Sequence, residues 1–109
     1  MHAVIRKFPN MQNVKEAARR AETGLGPILK QQPGFKGYYI IQLEGGGGGS
    51  ISLFENADAA KAAHQRALSW IKENLADLSG GGEPDVTIGE VTSGLSALAR
   101  ASALTDTSC

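Results

Sequence analysis

Short apolar runs alternate with longer amphipathic segments along this chain of 109 residues. The run Ala3–Phe8 is short, contains β-branched residues and stops at Pro9-Asn10, which is typical of a strand. Three later apolar runs have the same character and predict further strands over Phe35–Leu43, Ser50–Phe54 and Val86–Val91.

A helical pattern follows the first strand. Its apolar side chains recur at steps of three and four residues, at Val14, Ala18, Ala21, Leu25 and Ile28. Asn13, followed three residues later by Glu16, resembles a capping box and marks the start of the helix. Gly24, Gly26 and Pro27 interrupt the pattern. Because proline lacks an amide hydrogen, we expect a kink or a restart at Pro27.

A second helix is predicted from Asn56 to about Leu78, with Asn56 or Asp58 as its N-cap. One face of it carries five residues at helical spacing: Ala60, His64, Ala67, Ile71 and Leu75. Gly80-Gly81-Gly82 ends this helix before the fourth strand.

The order of these elements predicts an α+β fold, the ferredoxin-like βαββαβ arrangement, with an antiparallel sheet and both helices on one face. We expect one domain over residues 1–92. Residues 93–109 are small, polar and only weakly amphipathic, so we expect a C-terminal tail that is flexible or weakly helical.

Such a sheet has a second face that its helices leave uncovered. The run from Tyr38 to Ile41 is apolar without alternation, so either Tyr38 with Ile40 or the other two residues lie on that face. Ile51 and Leu53 occupy alternate positions on the third strand in the same way. An exposed apolar face marks an interaction surface, and a second copy of the sheet is its simplest cover. The pattern therefore predicts a homodimer.

Composition narrows the classes of partner. The 11 basic and 11 acidic residues give a formal net charge of zero, which disfavours nucleic acid and anionic membrane surfaces as partners. No apolar run approaches the roughly 20 residues that cross a bilayer. The single cysteine, Cys109, allows no intrachain disulfide and favours a reducing cytoplasm. Two histidines and one cysteine predict no metal site.

Five consecutive glycines, Gly45–Gly49, predict a hairpin loop between the second and third strands. A phosphate-binding loop needs its glycines between a strand and a helix, with a lysine at its end. These glycines connect two strands and no lysine follows them, so we predict no phosphate-binding loop.

Four segments resemble the dimeric α+β barrel superfamily, and within it small bacterial proteins similar to antibiotic-biosynthesis monooxygenases. They are Ala3–Arg6, Pro33–Tyr39, Ser50–Glu55 and the helix from Ala59 to Trp70. The resemblance covers roughly residues 2 to 92. It implies two sheets that close into a barrel across a dimer axis, with small ligands between each sheet and its own helices.

The same resemblance implies an activity. Some members of the superfamily oxygenate phenolic polyketides without a cofactor, and others degrade haem with a catalytic Asn, Trp and His. The asparagine of the haem-degrading members belongs on the first strand, where this chain has Val4, Ile5 and Arg6. We therefore predict no cofactor.

His64 is the candidate catalytic residue. It lies on the buried face of the second helix, and a histidine titrates near neutral pH, so it could act as a base toward an acidic phenol or enol. The alternative is a core histidine that is hydrogen-bonded to the backbone, to Tyr38 or to Tyr39.

Five residues are candidates for substrate binding: Trp70, Tyr38, Tyr39, Phe54 and Arg6. Trp70 and Phe54 would form apolar walls, or Trp70 would fill the space that neighbouring alanines leave. The adjacent tyrosines face opposite ways, so one could orient a substrate hydroxyl while the other packs in the dimer. Arg6 would bind a ligand carboxylate or phenolate, or else pair with a glutamate at a strand end. The glutamates so placed are Glu44, Glu55 and Glu90.

These observations predict a homodimer that binds a small apolar or aromatic metabolite. If the protein is an enzyme, we expect cofactor-independent oxygenation or proton abstraction. The alternative is a non-catalytic structural or ligand-binding dimer in which His64 and Trp70 only pack.

Overall fold

The computed structural model describes residues 1–79 and 84–95. The helices and strands follow the predicted order, with one short helix added before the last strand. They are β1 (His2–Phe8), α1 (Val14–Lys30), β2 (Phe35–Gln42), β3 (Gly48–Phe54), α2 (Ala57–Asn74), α3 (Ala76–Ser79) and β4 (Asp85–Glu90).

The four strands form one antiparallel sheet in the order β2-β3-β1-β4, so β3 and β1 lie at its centre. The helices α1 and α2 pack against each other and against one face of this sheet. The predicted α+β, ferredoxin-like βαββαβ fold is confirmed.

The hydrophobic core lies between the sheet and these two helices. The strands contribute Val4, Phe8 and Phe54, and α1 contributes Leu25 and Leu29. On α2 the buried apolar positions are small, at Ala60, Ala63 and Ala67, before the larger Ile71. Because alanine has a short side chain, this part of α2 can approach the sheet closely.

The start of α1 is as predicted, since the side chain of Asn13 accepts a hydrogen bond from the Glu16 amide at 3.3 Å. The prediction of a restart at Pro27 is wrong, because α1 runs as one helix to Lys30. A proline removes one main-chain hydrogen bond. Leu25 and Leu29 are buried on either side of it, and their packing keeps the last turn helical.

The hairpin between β2 and β3 is tighter than the glycine run suggests. Its turn closes through the Leu43 amide and the Gly47 carbonyl at 3.0 Å, and Gly46 and Gly47 have positive φ angles of 103° and 83°. Gly48 and Gly49 were expected in the loop but belong to β3. Both pair with β1 and with β2, and this double pairing fixes their conformation.

The second helix ends earlier than predicted. Asn56 is its N-cap and accepts from the Ala59 amide at 2.8 Å, but the helix stops at Asn74 and α3 follows. The expected stop at residues 80–82 and positions 96–109 of the expected tail lie outside the described residues. None of the helices within residues 1–79 and 84–95 has the length and apolar character that crossing a membrane requires.

The register decides the orientation of the apolar run on β2. Tyr38 pairs with Ser52 and faces the helices, as does Ile40. Tyr39 and Ile41 therefore lie on the outer face of the sheet, where they are 46% and 43% exposed.

Candidate functional site

Arg6 lies in the middle of the central strand β1 with its side chain toward the helices. It stands between the core residues Val4 and Phe8 and opposite Ser50 on β3, and it is fully buried. Its Nη1 donates a hydrogen bond to the Ser52 hydroxyl, and its Nε donates one to Nδ1 of His64, each at 3.2 Å. The guanidinium thus joins β1, β3 and α2.

The third nitrogen of this guanidinium has no partner. Arg6 Nη2 is buried and forms no hydrogen bond, and Arg6 forms no ion pair with any carboxylate of the described residues. The alternative in which it pairs with a strand-end glutamate is therefore wrong. Burial lowers the pKa of Arg6, but a guanidinium keeps its proton in proteins, so the site holds a buried positive charge.

His64 is half-buried on α2, and its partner is Arg6 rather than the backbone or a tyrosine. Burial, and after it the charge of Arg6, lower the pKa of His64, so the ring is neutral at pH 7. Its Nε2 forms no hydrogen bond to a described residue.

Tyr38 brings a phenol hydroxyl to the same face of the sheet, opposite Ser52. Burial raises its pKa to about 12, and the charge of Arg6 opposes part of that rise. The hydroxyl therefore keeps its proton at neutral pH and can donate a hydrogen bond.

Two spaces adjoin Tyr38. The first is a cavity of about 40 Å³ between α1 and the sheet, with mostly apolar walls that include Tyr38, Ile40 and Ser50. It has room for only a few water molecules, and His64 does not line it. The second is an open groove of about 660 Å³ between α1 and the edge strand β2. Tyr38 lines both spaces, and the groove is large enough for a small aromatic molecule.

The other predicted site residues lie elsewhere. Trp70 packs over Gly24 between the two long helices and lines a shallow surface depression. Phe54 is fully buried in edge-to-face contact with Phe35, with ring centroids 5.9 Å apart. Tyr39 lines the groove from the outer side of β2. The structure thus brings together Arg6, His64 and Tyr38, while the proposed roles of the other three stay predictions.

Ser52 belongs to the cluster and was not among the predicted site residues. Ser50 and Ser52 alternate along β3 toward the helices, where apolar side chains are normal. Polar residues at buried positions of a strand were the signal that could have identified them, because buried polar groups need partners.

The cluster is rich in hydrogen-bond donors and holds one fixed positive charge. Arg6, the Tyr38 hydroxyl and Nε2 of His64 can all donate, while no carboxylate of the described residues takes part. Such an arrangement suits an anionic oxygen. Within residues 1–79 and 84–95 there is no group of three or more His, Cys, Asp or Glu residues that could hold a metal ion.

No family model and no curated protein matches the sequence. Solved structures do match the fold. One is a monooxygenase of Streptomyces coelicolor in complex with nanaomycin D, with a TM-score of 0.67 and 17% identity over 86% of this chain and 89% of that chain. Another is SnoaB, a cofactor-independent oxygenase of Streptomyces nogalater, with a TM-score of 0.62 and 12% identity over 86% and 95% of the two chains.

A third similar structure is a dimeric ferredoxin-like protein of unknown function from Jannaschia, with a TM-score of 0.55 and 18% identity over 83% of this chain and 97% of that chain. The predicted resemblance to ferredoxin-like proteins and to antibiotic-biosynthesis-like monooxygenases is confirmed at the level of the fold.

Proposed function

We propose that this protein is a homodimeric α+β barrel that binds a small acidic aromatic metabolite, a phenol or an enol, as its anion. One observation carries the proposal. Arg6 is fully buried, its Nη2 has no partner, and it forms no ion pair with a carboxylate of the described residues. A buried charge without a counter-charge is costly, and an anionic ligand would supply the missing partner.

The surroundings of Arg6 support an oxygen anion as this ligand. Ser52 and His64 hold two guanidinium nitrogens in place, which leaves Nη2 to donate to the ligand. The Tyr38 hydroxyl can donate a second hydrogen bond from β2. The aromatic body of the ligand would occupy the groove between α1 and β2, which Tyr38 lines.

For the activity we propose cofactor-independent monooxygenation, because SnoaB, a protein of similar fold, is a cofactor-independent oxygenase. Anthrone illustrates the chemistry. Its enol gives up the hydroxyl proton to water, the resulting anion forms a C–O bond with dioxygen at the opposite ring carbon, and the terminal oxygen of the resulting peroxide takes up a proton. That ring carbon then loses its hydrogen to water as a proton, the O–O bond breaks with the terminal oxygen leaving as hydroxide, and a carbonyl group and water result. One molecule of dioxygen thus converts anthrone to anthraquinone and water, and Arg6 would stabilise the anion that reacts.

A non-catalytic ligand-binding dimer is the second candidate. Two observations favour it: the cavity beside Tyr38 between α1 and the sheet measures only about 40 Å³, and Trp70 packs against Gly24 rather than beside Arg6. Binding of the anion without consumption of dioxygen would support this candidate over the enzyme.

The outer face of the sheet supports the proposal of a homodimer. Three large apolar residues are exposed there, Tyr39, Ile41 and Ile5, and Ile51 and Leu53 lie beside them. The similar Jannaschia protein is itself described as dimeric. The predicted cytoplasmic location stays a prediction.

Calorimetric titration with para-nitrophenol above its pKa tests the binding site. We expect Arg6→Met to weaken binding by at least about tenfold, because a charge-assisted hydrogen bond is lost. Arg66→Met makes the same change at an exposed arginine of α2 and should leave the affinity unchanged. Equal affinity of wild type and Arg6→Met would refute the proposal.

Ser52→Asp provides a second test that does not remove Arg6. The new carboxylate would pair with the guanidinium, raise the denaturation midpoint and compete with the ligand. A stable Ser52→Asp variant that still binds the phenolate like wild type would also contradict the proposed site.

Oxygenation is measured with anthrone and isotopically labelled dioxygen. We expect one labelled oxygen atom in each molecule of anthraquinone. The anthraquinone should form faster with wild type than with Arg6→Met or without protein.

A further inference from the structure

The two ring nitrogens of His64 have different environments. Nδ1 accepts a hydrogen bond from Arg6 Nε at 3.2 Å, while Nε2 has no partner among the described residues. A guanidinium can only donate, so Nδ1 must keep its lone pair free of a proton. A neutral imidazole with an unprotonated Nδ1 carries its proton on Nε2.

We propose that Arg6 fixes His64 as the Nε2–H tautomer, so that His64 donates a hydrogen bond to the bound anion instead of removing its proton. This inference rests on the proposed function, because it concerns the same anion site. It replaces the role of base that the sequence suggests for His64 with the role of a donor.

The comparison with a catalytic triad shows why the orientation matters. There a carboxylate accepts from Nδ1–H, which leaves Nε2 without a proton and able to act as a base. Here the orienting group is a donor, so the tautomer is reversed. The pKa of His64 is lowered by burial and by the charge of Arg6 on β1. No carboxylate of the described residues contributes to it. Tyr38 on β2 and Ser52 on β3 are neutral donors or acceptors beside Arg6.

The substrate class follows from this assignment. A site that holds no base leaves the ligand's proton to be lost to water, so the ligand must itself be acidic enough to ionise. We therefore expect phenols or enols that are acidified by a conjugated carbonyl or nitro group, so that they ionise near neutral pH, and we expect ordinary phenols to bind poorly.

Nitrogen NMR of the full chain, labelled in its histidine side chains, tests the tautomer without any ligand. His64→Gln removes one of the two histidine signal sets and so assigns the other to His2. We expect wild-type His64 to carry its proton on Nε2, and Arg6→Met to shift the ring toward a mixture of tautomers. A wild-type ring protonated on Nδ1 would overturn the inference, even if the phenolate binds as proposed.

The pH dependence of binding separates a donor from a base. With His64 as a donor, affinity for para-nitrophenol rises up to the ligand's own pKa and then stays level. If His64 kept the ligand's proton, affinity would fall about tenfold per pH unit above that pKa, since the complex would then hold an extra proton. Such a fall would overturn the inference while leaving the anion site intact, whereas an absence of binding at every pH would refute the proposed function itself.

Two substitutions complete the test. Glutamine can accept from Arg6 and still donate, so His64→Gln should bind the phenolate within about threefold of wild type. His64→Ala loses the donor and should bind about tenfold more weakly. Equal losses in both variants would contradict a donor role.

Discussion

At the scale of single residues, one charge sets the properties of the site. Arg6 has neutral hydrogen-bond partners on β3 and α2 and no counter-charge among the described residues. Burial, and after it the charge of Arg6, lower the pKa of His64, and the charge opposes the rise that burial causes in the pKa of Tyr38. A neutral histidine, a protonated phenol and a permanent cation therefore stand together at pH 7, and each can donate to an anion.

The raised pKa of Tyr38 can be measured through the pH dependence of protein stability. Its pKa is 10.0 when exposed and about 12 here, so the folded state keeps a phenolic proton that the unfolded state loses. The stabilisation from the buried neutral phenol is complete below pH 10.0 and is lost as pH rises toward about 12. We expect wild type to lose about 1 kcal/mol of unfolding free energy between about pH 9 and about pH 11 from this group alone. Denaturant unfolding across that range measures it.

Tyr38→Phe is the control for this effect, because it keeps the ring and removes the ionisable group. The alkaline loss of stability should be smaller in Tyr38→Phe. Arg6→Met should raise the pKa of Tyr38 further, which tyrosinate absorbance records, since the charge that favours the phenolate is gone. An unchanged or lower pKa of Tyr38 in Arg6→Met would contradict an effect of the Arg6 charge on Tyr38.

Sequence alone identified three members of the cluster but not their contact. Arg6 and His64 are 58 positions apart, and their hydrogen bond depends on where α2 crosses β1, which no local pattern encodes. The sequence does not decide which face Tyr38 occupies, because its strand is apolar on both sides. The indole of Trp70 lies over Gly24, where α1 has no side chain, and no pattern within α2 predicts that contact. The position of the indole depends on how α1 and α2 pack together, so the sequence of either helix alone does not predict it.

At the scale of the elements, long-range packing overrides local signals. Pro27 predicts a kink or a restart, yet α1 continues as one helix because Leu25 and Leu29 are buried on its core face. The glycine run predicts that Gly48 and Gly49 belong to the loop. They belong to β3 instead, because both pair with β1 and with β2. The order of strands and helices was predictable because apolar periodicity is local, whereas these boundaries depend on partners distant in sequence.

Gly24 lets α1 and α2 approach at Trp70. A Cβ atom at position 24 would lie 2.7 Å from Cζ2 of Trp70, closer than packed atoms come, so Gly24→Ala must displace the indole. We expect a loss of about 1 to 2 kcal/mol of unfolding free energy, in spite of the better helix propensity of alanine. Chemical denaturation measures the loss, and the fluorescence of the single tryptophan reports the displacement.

A double-mutant cycle with Trp70→Ala isolates this contact. In the Trp70→Ala background the indole is absent, so Gly24→Ala should stabilise the protein by about 0.5 to 1 kcal/mol through helix propensity alone. The same destabilisation in both backgrounds would show that Gly24 is required for a reason other than Trp70.

At the scale of the whole molecule, the two faces of the sheet differ in what covers them. The inner face meets both long helices, while the outer face carries large apolar residues that no described element covers. Next to them, Lys7 of β1 pairs with Asp85 of β4 in the register of the sheet and gives the patch a polar border. An apolar centre with a polar border is the usual composition of a protein–protein interface.

Ile5 tests whether this face joins two copies of the chain. It lies on the central strand β1 with its side chain on the outer face, 37% exposed. Ile5→Glu would bury a carboxylate without a counter-charge in a face-to-face dimer, so we expect the dimer dissociation constant to rise by about a hundredfold or more. Sedimentation at micromolar concentration should then show monomer for Ile5→Glu and dimer for wild type. Ala62→Glu adds the same charge at an exposed position of α2 and should remain dimeric. A folded wild type that sediments as a monomer would refute the proposed assembly, and an Ile5→Glu variant that stays dimeric would place the interface elsewhere on the molecule.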